Sequence, residues 1–363
     1  MRFAFPARRR LLAPAVAAGV LAPLLAVPGA EAAPASAGDR CAPSAKAVSY
    51  SDSLNKTTFG GVAIGGLSGI TYDKVSRGYV SVVDRSGTQP ASLVFLRDPG
   101  APRVTATTAL KRADGTAYDG TNFDGEGIAV APNGNFLVTS EAEPSIRVFG
   151  RDGVQRGELT VPARFAVTPG GEAPVNATLE GLAISRDGKR VYAAMEGALS
   201  GDAPATGEAL RRRVLVYEAD GRGGYRLARQ IGYEADPGYR IAEVAAYDDG
   251  RLVVLEATFT AGVGNGAKLY AISDKAPDVS KVANLSTVPA HRLAGKKLVT
   301  DLVTGPTLGA TNPQPQINPL LDNLEGMAVE RSAGRGHRVY LISDDNFSAN
   351  QVTRVVTLQA RLP

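Results

Sequence analysis

The sequence contains no tryptophan, one cysteine and two histidines. The single cysteine, Cys41, rules out an internal disulfide and a thiolate metal cluster. His291 and His337 form no metal-binding pair, which argues against histidine-ligated metallohydrolases and histidine phosphatases. Helix-period patterns are scarce. Beyond the N-terminus no apolar run is long enough to span a bilayer. There is no Walker-type glycine loop, and no basic-aromatic interleaving of the kind that binds nucleic acid. Gly66-Leu67-Ser68-Gly69 lacks the second spaced glycine of a nucleophile elbow, so Ser68 is not read as a nucleophile. The net charge of +4 owes much to arginines near the N-terminus. The remainder is near neutral and gives no case for a nucleic-acid or membrane partner.

Residues 1–32 read as an export signal. Arg2, Arg8, Arg9 and Arg10 form a basic region, Leu11 to Val27 an apolar one, and Ala30-Glu31-Ala32 an A-x-A cleavage site. The Arg8-Arg9-Arg10-Leu11-Leu12 run also suits the twin-arginine route. Pro14 and Pro23 break the apolar core, so no stable membrane anchor is expected and the product is predicted to be secreted. Residues 33–45 form a flexible leader rich in Ala, Pro, Ser and Gly. Residues 46–363 are predicted to form one domain.

That domain repeats one pattern. An acidic turn leads into an apolar strand, an Asn-Gly or Asp-Gly hairpin, a second apolar strand and a closing acid. Phe123 to Glu141 shows it, with Asn133-Gly134 as the turn. Thr178 to Glu196 repeats it around Asp187-Gly188, and Ile241 to Glu256 around Asp249-Gly250. Asn323 to Asp344 is a further copy. Gly66 to Asp84 is another, with Ser68 where the others carry Glu. Each unit adds a third strand. High Gly and Pro content (41 and 23 residues) fits many short strands joined by turns. The prediction is an all-β fold, a β-propeller, with an open β-solenoid as the runner-up. Five units are clear, and residues 285–320 are expected to hold an irregular sixth blade. The orphan strand near Ala47–Ser51 is expected to complete the last blade and so remove its exposed edge.

Alternating strand direction puts the starts of the first strands, the ends of the second and the starts of the third on one face. The first strands contribute Glu126, Glu180, Glu243 and Glu325. The second contribute Asp84, Glu141, Glu196, Glu256 and Asp344, with Asp345 behind it. The third contribute Arg147, Arg213, Lys268 and Arg354. Carboxylates about 6 Å apart repel by roughly 3 kcal/mol per pair at an effective dielectric of 20. Such a ring calls for protons, basic partners or a cation. Oxygen ligands alone suit a hard cation, Ca²⁺ first and Mg²⁺ second. The metal candidates are Glu126, Glu180, Glu243, Glu325 and Asp84. The same glutamates could instead accept backbone bonds, and the arginines could form structural ion pairs. Gly125, Gly127, Gly181 and Gly326 are read as turn geometry.

The Glu-Gly-(Ile/Leu/Met)-Ala repeats, together with Asp84-Arg85-Ser86-Gly87, Ser140-Glu141 and Ser343-Asp344-Asp345-Asn346, resemble the bacterial phytase-like family, also called "esterase-like activity of phytase". The resemblance spans about residues 60 to 360. It implies a propeller related to the β-propeller phytases, which cleave phosphate monoesters using Ca²⁺ in an acidic channel mouth. It places Glu126, Glu180, Glu243 and Glu325 near metal, and makes Arg85, Arg147, Arg213, Lys268 and Arg354 phosphate contacts. True β-propeller phytases also carry an Asp-Asp-Pro-Ala segment followed by Trp. Neither occurs here, so phytate itself is not implied as substrate.

The function expected is metal-dependent hydrolysis of a small phosphate or other ester by a monomer, with Glu141 or Glu196 as general base. A non-catalytic ligand-binding propeller and a Ca²⁺-dependent lactonase are the alternatives.

Overall fold

Each repeat folds into an antiparallel sheet of four strands. The structure, a computed structural model, describes residues 44–84, 90–332, 334 and 336–363. The expected export signal, Cys41 and Arg85 lie outside the described residues. Blade 1 comprises β4 (Leu67–Asp73), β5 (Gly78–Val83), β6 (Ser92–Arg97) and β7 (Arg103–Ala109). Blade 2 comprises β8 (Gly125–Val130), β9 (Phe136–Ser140), β10 (Ser145–Phe149) and β11 (Gln155–Leu159). Blade 3 comprises β12 (Leu179–Ile184), β13 (Arg190–Met195), β14 (Arg211–Ala219) and β15 (Tyr225–Glu234). Blade 4 comprises β16 (Arg240–Asp248), β17 (Arg251–Thr260), β18 (Gly264–Ser273) and β19 (Lys297–Asp301). Blade 5 takes β20 (Leu324–Arg331), β21 (His337–Ser343) and β22 (Val355–Ala360), then β1 (Ala45–Ser51) as its outer strand. The hairpin of β2 (Thr57–Phe59) and β3 (Val62–Ile64) leads into blade 1.

The inner strands β4, β8, β12, β16 and β20 pack each against the next, and β20 meets β4, so the ring closes with five blades. The orphan strand closes it as expected: β1 pairs antiparallel with β22, from Ala45 opposite Ala360 to Ser51 opposite Val355. Arg354 fastens the same seam through a two-pronged bond to the Asp52 carboxylate at 2.6 and 2.8 Å.

Residues 285–320 do not form a sixth blade. They run through short 3₁₀ turns, donate β19 to blade 4 and cover the outer edge of blade 3. Val279 and Ala294 donate backbone bonds to Gln230 and Gly232 of β15, satisfying carbonyls that an edge strand would leave open. Val279, Leu285, Val288 and Leu293 form a small core of their own there.

Apolar residues fill the spaces between blades. β5 shows why its run is unbroken. Tyr79 and Val83 face blade 5, while Val80 and Val82 face blade 2, so both faces of the strand are buried. The hairpin glycines Gly134, Gly188 and Gly250 take positive φ of 87°, 71° and 70°, as their Asn-Gly and Asp-Gly turns require. The glycines after the glutamates act differently and correct the turn reading. Gly127, Gly181 and Gly326 are extended strand residues at which neighbouring inner strands touch. A Cβ on Gly127 would sit 2.4 Å from the Glu180 carbonyl oxygen, and one on Gly326 2.1 Å from that of Ser68. Glu-Gly therefore pairs a mouth-facing acid with a residue thin enough for the inner ring to close.

Candidate active site at the channel mouth

Every inner strand begins with a β-bulge against its partner. The register shifts at Leu67/Ile70, Gly125/Ile128, Leu179/Leu182, Ile241/Glu243 and Leu324/Gly326. A bulge re-aims the side chains it carries. Ser68, Glu126, Glu180 and Glu325 all sit at these bulges, and the three glutamates line one cavity of about 370 Å³. The ends of the second strands supply Asp84, Glu141, Glu196 and Asp344 to the same cavity. The antiparallel geometry thus brings these two groups of acids together.

The acids gather into two triads. Asp84, Asp124 and Glu126 each offer an oxygen within 4.8 Å of the others, and so do Glu141, Glu180 and Glu196. The Ser68 hydroxyl donates to Glu126 Oε2 at 2.8 Å and approaches Glu325 Oε2 at 3.4 Å. The Thr178 amide donates to Glu141 Oε1 at 2.9 Å and fixes that carboxylate.

One guanidinium crosses this field. Arg240, the first residue of β16, donates to Glu180 Oε1 at 3.1 Å, to Glu325 Oε1 at 2.7 Å and to Asn323 Oδ1 at 3.1 Å. It also lies 3.1 Å from Glu196 Oε1. Eight carboxyl groups line the cavity, and Arg240 is the only cation on its lining among the described residues. Protons make up part of the balance. Burial, a hydrogen bond with Asp124 and the Asp124 charge push the Asp84 carboxyl up to about 10. Burial and the charges of Glu180 and Asp84 raise Glu126 well above the usual carboxylate range. Burial and Glu196 raise Glu180, and burial and Glu325 raise Asp344. Burial also raises Glu196, against the pull of Arg240 and of a hydrogen bond with Glu180. Burial disfavours the Arg240 charge, but Glu325, Glu196 and Glu180 outweigh it and hold the proton more firmly than usual. Within each triad one pair of acids acts most directly on each other, Asp84 with Asp124 and Glu180 with Glu196.

Other candidates lie elsewhere. Glu243 does not line the cavity. It is buried and turned to the backbone, accepting from Leu182 at 2.8 Å and from its own neighbour Val244 at 2.9 Å. Glu256 accepts from Tyr233 at 2.5 Å and Lys296 at 2.7 Å. The basic third-strand residues do not reach the lining either, because a third strand lies about 10 Å from the first. Arg213 is fully buried against Asp202 at 2.6 and 2.7 Å. Lys268 bonds Asp236 at 2.6 Å, and Arg354 bonds Asp52. Arg147 bonds Glu143 at 2.8 Å and lies over the Tyr118 ring at 4.9 Å.

Asp124, Arg240, Asn176 and Phe347 line the cavity without standing out as candidates in the sequence, and so does Asn346, which figures there only as part of a family motif. Two of them carried a signal. Asp124 precedes the Gly125-Glu126 pair, and Arg240 is the only basic residue to open an inner strand.

Among the described residues no helix is long and apolar enough to cross a membrane. Among solved structures the chain is similar to the periplasmic gluconolactonase of Pseudomonas aeruginosa, at 14% identity over 83% of this chain and 87% of that one, with a TM-score of 0.36. It is also similar to the catalytic domain of an α-L-arabinofuranosidase from Coprinopsis cinerea, at 10% identity over 88% and 98%, with a TM-score of 0.45. An α-L-arabinofuranosidase from Clostridium thermocellum aligns at 13% identity over 73% and 78%, with a TM-score of 0.41. No curated protein matches the sequence. Residues 62–347 match the phytase-like family, described as "Esterase-like activity of phytase", and the chain belongs to that family.

Proposed function

We propose that the mouth is a cation-dependent hydrolytic site for a small phosphate or carboxylic ester, in a protein exported by its N-terminal signal. The observation that carries this reading is the pair of carboxylate triads in one cavity beside Arg240. Asp84, Asp124 and Glu126 would hold the cation. Oxygens up to 4.8 Å apart suit Ca–O bonds of about 2.4 Å better than Mg–O bonds of about 2.1 Å. When bound, such an ion polarises an ester oxygen and acidifies water. The chain supplies the rest. Displacing the Asp84 proton turns this triad from a proton store into an anionic cradle. Arg240 offsets the second triad, so an anionic ester is not simply repelled. Glu196 is the proposed proton acceptor, with Glu141 as the other candidate. Arg240 and Glu180 hold Glu196 in place.

The test uses protein lacking residues 1–32 and stripped with EDTA. Ca²⁺ and Mg²⁺ are titrated while melting temperature and turnover of p-nitrophenyl phosphate, p-nitrophenyl acetate and a small lactone are followed. Stabilisation with turnover supports the proposal, and the compound cleaved gives the substrate class. Stabilisation without turnover favours a ligand-binding propeller. No response to either cation overturns the proposal.

A further inference from the structure

We infer that Phe347 is a fixed apolar platform that selects esters with one flat, non-polar group. This rests on the hydrolytic reading of the mouth. The cavity lining is charged or amide-bearing except at one point, Phe347, which is 39% exposed.

The ring is held in place by a specific arrangement of backbone and side chains. Asn346 and Phe347 both adopt left-handed backbone, with φ of 46° and 50°. Asparagine tolerates that region. A phenylalanine there is strained, and glycine would be the relaxed choice. Neighbouring groups impose the conformation. Asp345 Oδ1 accepts from the Phe347 amide at 3.1 Å and from the Gly66 amide at 3.0 Å, and Lys56 bonds its other oxygen. The Asn346 amide donates to Asp344 Oδ1 at 2.7 Å. The phenyl ring then lies against Gly65 and Gly66. A Cβ on Gly66 would be 2.6 Å from its Cε2, and one on Gly65 3.1 Å from its Cδ1. Two residues without side chains thus make the bed for one side of the ring, and the ring also borders the cavity.

A wholly polar substrate gains nothing from such a surface. A substrate with an aryl or similarly flat group gains dispersion and stacking contact beside the acids. The chemistry therefore points to an amphiphilic ester with its reacting group at the triads and its flat group on Phe347.

The experiment compares benzyl with methyl phosphate, and benzyl with methyl acetate, on the calcium-loaded protein. The two alcohols leave with similar ease, so the ratio of kcat/KM reports recognition. Wild type is expected to favour the benzyl ester about five- to tenfold. Phe347→Ala should bring the ratio near one through KM, and Phe347→Leu should keep part of it. Calcium-dependent melting should be unchanged in both variants, which shows that the loop and the acid cluster survive. A wild-type ratio near one, or a ratio unchanged in Phe347→Ala, overturns the platform and leaves the hydrolytic reading standing. Turnover of none of the four esters by calcium-bound wild type overturns both.

Discussion

Arg240 on β16 donates to Glu325 on β20 at 2.7 Å, joining the inner strands of blades 4 and 5 across the mouth. The same guanidinium holds Glu180 and Glu196 of blade 3. It is a resident positive charge inside an acid cluster.

Removing that charge should expose the cluster. Arg240→Gln leaves three acids without their counter-ion, at an expected cost of about 2–4 kcal/mol. The melting temperature in EDTA should fall by several degrees. Calcium should restore more of the loss than it adds to wild type, because a cation anywhere in the cavity lowers the repulsion among its acids. Calorimetry with and without calcium checks this, and an unchanged melting temperature in EDTA contradicts it.

The raised acids set a pH dependence. In cation-free protein the folded form keeps a proton on Asp84 up to about pH 10, while the unfolded chain releases it near pH 4. The folded state binds more protons in that window. The stabilisation is complete below about pH 4 and is lost as pH rises toward about 10. Melting temperature in EDTA should therefore fall from about pH 5 to pH 9. The increment from calcium should grow over the same range, with protons released on binding. A calcium increment independent of pH would mean that the ion binds elsewhere.

Asp84→Asn removes a direct ligand and should weaken calcium binding by more than the roughly 10- to 100-fold that losing an outer-shell partner costs, and cut turnover at least as much. Glu243→Gln is the contrasting variant. Glu243 serves the backbone of blades 3 and 4, so this change should leave calcium affinity within about twofold. Calorimetric titration of both variants separates cavity acids from structural ones.

Gly326→Ala should be severe. The new methyl would press on the Ser68 carbonyl oxygen, where the inner strands of blades 5 and 1 touch. We expect a loss of about 3 kcal/mol or more, read by urea denaturation. Arg354→Met should also destabilise, by about 1–3 kcal/mol, because the Pro319 and Thr311 carbonyls lose their donor, while leaving calcium affinity alone, because the site lies at the seam.

Much of this was legible in the sequence. The inner three strands of each blade announced themselves because they are buried and apolar on both faces. Apart from the orphan strand β1, the outer strands did not. Arg103–Ala109 and Gln155–Leu159 are largely polar and mostly exposed or half-buried, so no hydrophobic run marks them. Glu126, Glu180 and Glu325 were legible as mouth residues from their repeated place before glycine. Glu243 occupies the same place in its repeat but precedes Val244, and nothing local says that it turns to the Leu182 amide. The bulges that aim the acids are also silent, since a bulge is a relation between two strands. Arg213 and Arg354 misled because a shared face does not mean a shared distance from the axis.

The closed ring makes the mouth a joint product of all five blades. Asp84 enters the cavity from the first blade and Asp344 from the last, and the inner strands of those two blades, β4 and β20, pack directly against each other. A chain that has not yet delivered blade 5 has a gap in the ring and lacks the Glu325 and Asp344 side of the cavity. The complete cavity, which draws on all five blades, is thus a report of completed folding, whereas the proposed cation triad of Asp84, Asp124 and Glu126 needs only blades 1 and 2.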